Sequence, residues 1–186
     1  MDVVADYLEK LRDVLNNSAW ASVQLLCERL ARAKAEGSAV YLCGNGGSAG
    51  NAIHLANDLL YGAGGVRVEA LSANAAVVTC LANDIGYENI YSEQIKVKGL
   101  PGDLLIAFSG SGNSPNIVRA IEAANLISMD TFAVLGYSGG SCKKIAKYPI
   151  HFAVDDMQIA EDLQLVVGHI CMKFLKSQGC TNAAKI

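Results

Sequence analysis

Twice in this chain, a short apolar run passes through a glycine-rich loop into a helical segment. Residues 41–49 read Tyr-Leu-Cys-Gly-Asn-Gly-Gly-Ser-Ala, and residues 104–114 read Leu-Leu-Ile-Ala-Phe-Ser-Gly-Ser-Gly-Asn-Ser. Such a loop presents several backbone N–H groups at the start of a helix, where the helix dipole favours an anion. Two of these loops predict a phosphate group held from two sides, with the rest of a small molecule between them.

Short apolar runs and helical stretches alternate along the rest of the chain. The pattern predicts strands over 39–43, 66–71, 103–108, 131–135 and 149–154, and helices over 48–61, 73–81, 88–96, 114–127, 141–146 and 157–176. Continuous apolar strands separated by helices indicate a parallel sheet covered on both faces, here in a single α/β domain of residues 1–186. Ligands of such sheets bind at the carboxyl ends of the strands, where both loops lie.

A helical hairpin over residues 1–36 is predicted to precede the α/β core of residues 37–186. Val4 and Leu8 begin an apolar stripe with a helical period. Ser18 is predicted to cap a second helix, which ends at Gly37. This arm either covers its own sheet or forms an interface in an oligomer, and the sequence leaves both alternatives open.

Composition limits the class of function. The chain has a net charge of −3 and no stripe of lysine or arginine, which argues against binding nucleic acid through its own electrostatics. The uncharged run over 163–172 is too short to span a membrane, and the first residues lack the basic and apolar segments of a signal peptide. We therefore expect a cytoplasmic protein that does not bind membranes.

The cysteines are scattered, without a pair at the spacing of a redox or metal motif. In a cytosolic chain, this pattern predicts reduced, buried thiols. The six positions are Cys27, Cys43, Cys80, Cys142, Cys171 and Cys180.

The first loop, residues 44–48, is neither a GxGxxG motif nor a P-loop, because no lysine follows it. Its sequence therefore argues against a nucleotide as the ligand. The second offers the hydroxyls of Ser109, Ser111 and Ser114, and Pro115 predicts that Ser114 is the N-cap of the following helix. Because no lysine or arginine accompanies these groups, a phosphate would be held by hydroxyls and backbone N–H groups in a pre-shaped site.

Two helices carry a second set of polar groups. His54 and Asp58 are four residues apart, which puts both on one helix face. His169 and Glu161 are eight residues apart on the last helix, about 80° from each other around its axis. Two imidazoles and two carboxylates could together hold a divalent metal ion such as Zn²⁺.

Taken together, residues 43–48, 83–86 and 109–114 resemble the SIS domain of the phosphoheptose isomerases, and the likeness extends over nearly the whole chain. The resemblance implies a flavodoxin-like, doubly wound parallel sheet of five strands. It also implies a homotetramer with active sites at subunit interfaces. The implied reaction converts sedoheptulose 7-phosphate into D-glycero-D-manno-heptose 7-phosphate, a precursor of bacterial surface polysaccharide.

The resemblance also assigns roles to individual positions. It implies a zinc site at His54, Asp58, Glu161 and His169, with Asp58 and His169 as the catalytic pair. The implied substrate-binding residues are Asn45, Gly46, Gly47, Ser48, Asn83, Asp84, Ser109, Gly110, Ser111, Ser114 and Glu161.

Two of these positions depart from the family pattern. Asp58 stands where the family has glutamate, and it is shorter by about 1.5 Å of reach. Glu161 stands where the family has glutamine. Together with Gly110, these departures keep open an isomerase of another sugar phosphate. A second alternative is a non-catalytic SIS-domain regulator of the same shape, resembling the protein that associates with the bacterial replication initiator. The retention of His54, Asp58 and His169 argues against the regulator.

Overall fold

The computed structural model describes residues 2–17 and 20–183 of this chain. Its strands are β1 Val40–Cys43, β2 Val68–Ala70, β3 Leu104–Ser109, β4 Asp130–Leu135 and β5 Tyr148–His151. Its α-helices are α1 Val3–Asn17, α2 Ala21–Glu36, α3 Gly47–Asn57, α4 Ala75–Ile85, α5 Ser92–Lys98, α6 Pro115–Leu126, α7 Cys142–Ile145 and α8 Met157–Ala183. A π-helical turn follows α3 over Asp58–Gly62, and a 3₁₀ turn precedes α5 over Tyr87–Asn89.

The five strands form one parallel sheet in the order β2-β1-β3-β4-β5. The order reverses direction at β1 and β3, which is the switch point where open α/β sheets bind ligands. In register, Cys43 at the end of β1 pairs with Ala107 of β3. The two glycine-rich loops therefore leave adjacent strands at the same edge of the sheet, and the expected five-stranded, doubly wound fold is confirmed.

Alternate residues of the central strands enter two separate cores. Leu42 and Ile106 point into a core that they share with helices α2, α3 and α8. Cys43 and Leu105 point into the other, which they share with α5 and α6. Because both faces are covered, every residue of β1, β3 and β4 is buried, which explains the continuous apolar runs in the sequence.

The N-terminal arm uses its two helices differently. Helix α2 ends at Gly37, whose φ of 74° is the left-handed conformation expected of a glycine C-cap. Leu26 and Leu30 of α2 are fully buried, so this helix covers the chain's own sheet. Helix α1 instead leaves Val3 and Leu8 exposed. The predicted cap, Ser18, lies outside the described residues.

The helix after the first loop ends differently from the prediction. The sequence pattern predicts one helix over 48–61, whereas α3 ends at Asn57 and continues as the π turn. The N–H of Ala63 bonds the carbonyl oxygen of Asp58, five residues back, and widens the last turn. Gly62 ends the π turn, and Gly64 and Gly65 follow it. Glycine is conformationally permissive and disfavours a continued regular helix.

The thiols do not all match the prediction of burial. Four of the five described cysteines are buried, but Cys80 is exposed on α4, and all five are free thiols. Burial raises the pKa of the Cys43 thiol well above its ordinary value. Cys43 is therefore protonated at neutral pH and does not serve as a nucleophile beside the first loop.

None of the helices within the described residues combines the length and the apolarity that crossing a membrane requires.

Candidate active site

The first loop is shaped by glycine. Gly46 adopts φ 54° and ψ −123°, a conformation that side chains disfavour. A Cβ on Gly44 would overlap the backbone carbonyl group of Ser48, so the chain can fold back this tightly only with glycine there. The turn brings the loop directly onto the N-terminus of α3, where free N–H groups face the carboxyl end of the sheet.

The second loop is held by its own serines. The hydroxyl of Ser109 accepts a hydrogen bond from the N–H of Gly112 at 3.0 Å, and that of Ser111 accepts one from Asn113 at 3.2 Å. Ser114 is the N-cap of α6 and Pro115 its first residue, as predicted. Within the described chain the Ser114 side chain makes no capping bond, so its hydroxyl is available to a ligand.

A cavity of about 270 Å³ opens between the two loops. It is smaller than most drug-binding pockets, which fall in the range of roughly 300–1,000 Å³, and suits a small polar ligand. The cavity combines two helix N-termini with serine hydroxyls, and the residues that line it include no lysine or arginine. They are Asn45, Gly46, Gly47, Ser48, Phe108, Ser109, Gly110, Ser111, Ser114, Met157 and Glu161.

The two loops are joined by a pair of asparagines. The side-chain amide of Asn45 donates to the Asn116 carbonyl oxygen at 2.9 Å, and that of Asn116 donates back at 2.8 Å. Tyr87 donates to the same oxygen of Asn45 at 3.0 Å. Asn116 is buried, so this reciprocal pair holds the first loop against the start of α6 in a water-poor environment.

The final helix contacts the first loop through Gln164. Its side-chain nitrogen donates to the Ser48 hydroxyl at 3.0 Å, and its oxygen accepts from Asn51 at 3.0 Å. Asn51 also donates to the backbone oxygen of Glu161 at 2.9 Å. These bonds fix α8 relative to α3 and connect the anion pocket to the next cluster along both helices.

That cluster consists of two histidines and an aspartate. The Nε2 atoms of His54 and His169 lie 3.0 Å apart, and the carboxylate of Asp58 lies 3.5 Å from the first and 3.8 Å from the second. The carboxylate is mostly buried, whereas both imidazoles are about half exposed. A base buried beside two solvent-facing imidazoles is well placed to exchange protons with a bound ligand.

The same geometry fits a tetrahedral zinc ion. Zinc bonds to nitrogen and oxygen of about 2.0–2.1 Å put neighbouring ligand atoms roughly 3.3 Å apart. The three donor atoms are separated by 3.0, 3.5 and 3.8 Å. His54, Asp58 and His169 therefore bring three donor atoms close enough together to hold one metal ion.

The structure does not bring Glu161 into this group. Its carboxylate lies against Gly47, where a Cβ would overlap it, and it lines the anion cavity instead. A Cβ on Gly110 would likewise meet the sulfur of Met157. The start of α8 therefore packs against both loops, and glycine at 47 and 110 makes room for it.

Asn83 and Asp84 also lie outside the cavity of their own chain. Both are exposed on α4, where the Asn83 amide donates to the Asp84 carboxylate at 2.8 Å. Neither lines the pocket between the loops. These two residues therefore do not contact a sugar bound in the cavity of their own chain, although the resemblance implies a sugar-binding role for them.

Sequence reasoning assigned no role to Asn116 or Gln164. Both are polar residues on otherwise apolar helix faces, and such buried amides signal a required hydrogen bond. From the sequence, such a residue indicates that a buried hydrogen bond is needed, but it does not indicate which residue is the partner. The partners, Asn45 and Ser48, are 71 and 116 residues away in the chain.

Comparisons with known proteins agree with this architecture. A family model described as the SIS domain matches residues 5–136. The phosphoheptose isomerase of Akkermansia muciniphila is 35% identical over 146 residues, which cover 76% of this chain and 77% of that protein. The phosphoheptose isomerase of Aquifex aeolicus is 30% identical over 190 residues, covering 93% and 98%.

A solved structure has the same fold. The phosphoheptose isomerase from Francisella tularensis superposes with a TM-score of 0.88 at 24% identity, covering 95% of this chain and 97% of that one. The sheet order, the two phosphate-type loops and the curated relatives lead to one assignment. This chain has a SIS domain and belongs to the phosphoheptose isomerase family.

Proposed function

We propose that this protein interconverts a ketose phosphate and an aldose phosphate through an enediol, with sedoheptulose 7-phosphate and D-glycero-D-manno-heptose 7-phosphate as the pair. The observation that carries the proposal is that α3 and α8 contribute to two neighbouring features. One is the cavity between the loops, whose lining residues include no lysine or arginine, and the other is the cluster of His54, Asp58 and His169. The first suits a phosphate and the second suits proton transfer at the other end of the same ligand.

The relatives support a seven-carbon substrate, because the similar proteins of Akkermansia muciniphila and Aquifex aeolicus are phosphoheptose isomerases. Ser48 and His54 are six residues apart on α3, which is about 9 Å along the helix axis. The phosphate-type loop and the cluster are therefore carried by the same helix, about one and a half turns apart.

The proton transfers are assigned to the cluster. Asp58 removes the proton from the carbon next to the carbonyl, and the electron pair forms the enediol. Asp58 then returns a proton to the neighbouring carbon, after partial exchange with solvent. His169 moves the proton between the two substrate oxygens, so no atoms are gained or lost. The loops hold the phosphate, and that remote binding energy positions the reacting carbons.

Zinc is proposed as the metal, held by His54, Asp58 and His169. When bound, it would polarise the carbonyl oxygen and stabilise negative charge on the enediol oxygens. Glu161 would join this set as a fourth ligand only by turning its carboxylate away from Gly47.

We also infer a homotetramer whose active sites lie at subunit interfaces. Helix α4 is rich in apolar residues, yet none of its residues is buried within the chain. Asn83 and Asp84 lie on that helix, so its burial against a second copy would carry them to a neighbouring cavity. A cytoplasmic location agrees with free thiols and a sugar-phosphate substrate.

The deciding experiment follows sedoheptulose 7-phosphate in D₂O by NMR, with and without added Zn²⁺. We expect deuterium incorporation and the appearance of the heptose phosphate, with Asp58→Ala abolishing turnover and retaining phosphate binding. Unchanged turnover in Asp58→Ala would exclude this residue as the base.

The same experiment separates the alternatives. Exchange with another sugar phosphate, but not with the heptulose, would identify a different isomerase. No exchange with any sugar phosphate, together with capture of the replication initiator, would favour the regulatory role.

A further inference from the structure

Four polar groups form a continuous chain of hydrogen bonds between α3 and α8. Asn51 donates through its side-chain nitrogen to the backbone oxygen of Glu161 and to the side-chain oxygen of Gln164. Gln164 donates in turn to the hydroxyl of Ser48 at 3.0 Å. Gln164 is 1% exposed and Ser48 is 4% exposed, so water does not compete for these bonds.

The direction of every bond in this chain follows from its first acceptor. A backbone carbonyl can only accept, so the Asn51 nitrogen must face the carbonyl of Glu161. The same nitrogen faces Gln164, which must therefore present its oxygen there. The amide nitrogen of Gln164 is then left facing Ser48, and the Ser48 oxygen becomes an acceptor.

This direction determines what Ser48 can offer to a ligand. Its oxygen is engaged by Gln164, and its own proton has no acceptor among residues 2–17 and 20–183. Ser48 lines the anion cavity, so that proton is available to an anion there. Ser109 and Ser111 are in the same state, because each accepts a backbone N–H and retains its proton.

We propose that Gln164 is a positioning residue that fixes the Ser48 hydroxyl as a hydrogen-bond donor to the substrate phosphate. The inference rests on the proposed phosphate site and names a residue outside the ligand-contacting set. The phosphate group of a sugar-phosphate dianion carries no proton and only accepts, so a cavity without lysine or arginine needs hydroxyls whose protons are aimed at it before the ligand arrives. Gln164 provides this by occupying the oxygen.

The test measures binding of inorganic phosphate by calorimetry in Gln164→Glu, Gln164→Met and Ser48→Ala. A carboxylate at 164 accepts from Ser48 and reverses the bond, so we expect about 10- to 100-fold weaker binding. Methionine leaves the hydroxyl free to rotate among three staggered positions, so we expect a loss of about threefold at most. An equal loss in both variants would overturn the inference.

Combining Q164E with S48A separates proton direction from charge. If the carboxylate acts through the Ser48 proton, S48A weakens phosphate binding far less in the Q164E background than in the parent protein. If S48A costs the same factor in both backgrounds, the added charge alone is responsible, and the positioning role is refuted. Absence of phosphate binding by the parent protein would refute it as well.

Gln94 offers a matched control. It is a buried glutamine on α5 that donates to the backbone oxygens of Leu71 and Ile90, and it does not line the cavity. Gln94→Glu likewise places a carboxylate at a buried position, here beside the Lys98 ammonium that already donates to the Gln94 oxygen at 3.2 Å. The variant should leave the phosphate affinity unchanged. Isomerisation is measured separately on the parent protein. If the parent protein isomerises the sugar phosphate but S48A weakens phosphate binding equally in both backgrounds, this inference is refuted and the proposed function stands.

Discussion

The carboxylate of Glu161 lies directly against Gly47, at the N-terminus of α3, inside a cavity built to hold an anion. The residues that line this cavity include no lysine or arginine that would neutralise the carboxylate. A negative charge in the wall opposes a phosphate dianion, while the helix N-terminus favours both. Glu161 therefore competes with the ligand for the same partial positive charge.

Replacing Glu161 by glutamine should tighten phosphate binding. The substitution keeps the shape of the side chain and removes one charge, which we expect to be worth about 1 kcal/mol, or roughly fivefold in Kd, at this partly solvated site. Isothermal calorimetry with inorganic phosphate measures the change. Glu122→Gln, on the exposed face of α6, is the control and should have no effect. Unchanged or weaker binding in Glu161→Gln would contradict the competition.

The asparagine pair predicts a second effect on binding. Asn116→Asp keeps the oxygen that accepts from Asn45 but removes the nitrogen that donates back. The first loop then loses one of its two bonds to α6, and a charge is added near the phosphate. We expect the KM for the sugar phosphate to rise about tenfold or more.

Asn125→Asp is the matched control for that variant. Asn125 lies on the same helix and also both donates and accepts, to Ile145 and from Thr131, at the end remote from the cavity. This variant should lose stability to a similar extent without the rise in KM. If both variants raised KM equally, the effect would come from the helix as a whole rather than from the pairing of the loops.

The metal prediction concerns zinc affinity rather than activity. Binding of a structural zinc ion is worth roughly 10–16 kcal/mol, and this cluster supplies only three protein ligands. His54→Ala or His169→Ala should therefore weaken Zn²⁺ binding about 100-fold or more. Competition with a chromophoric chelator measures this on the metal-free protein. His151→Ala is the control, because His151 bonds Tyr137 and Lys143 on the far side of the sheet. Equal affinities in all three variants would exclude zinc from the cluster.

The contact between Tyr7 of α1 and Asp162 of α8 predicts that the free energy of unfolding depends on pH. The hydrogen bond from the Tyr7 hydroxyl to the Asp162 carboxylate, together with burial and nearby acidic charge, raises the pKa of Tyr7 to about 12. Because the folded-state pKa is the higher one, this stabilisation is complete below about pH 10, the ordinary tyrosine pKa. It is lost as the pH rises toward 12.

Urea denaturation of Tyr7→Phe tests that contact. At pH 8 the variant should be less stable by about 0.5–1 kcal/mol, a modest value because the pair is partly exposed. The difference between the two proteins should shrink on going to pH 11. A difference that persists unchanged at high pH would show that the tyrosine contributes through packing instead.

The fold class and the shared edge of the two loops could be predicted from the sequence alone. Apolar runs such as residues 104–108 are long enough for a buried strand, and their alternation with helices indicates a covered parallel sheet. Gly44, Gly46 and Gly112 mark turns that a side chain would obstruct, so the phosphate-type loops could be read directly. These are local constraints, and each is expressed within about ten residues.

The pairing of His54 with Asp58 was also local, because both lie on one helix face. Their meeting with His169 was only a hypothesis until α8 was seen to pack on α3. The π turn that begins at Asp58 could not be predicted from the spacing of apolar residues, because that spacing does not distinguish an α turn from a π turn.

The orientation of the remaining polar side chains depends on packing between distant elements. Glu161 was expected both at the metal and among the substrate-binding residues, and it lies in the anion cavity because Gly47 leaves room for its carboxylate there. The bonds of Gln164 to Ser48 and of Asn116 to Asn45 join elements far apart in the chain. Residue type and spacing specify which groups a helix carries, but the sheet order and the packing of α8 across α3 decide which of them meet.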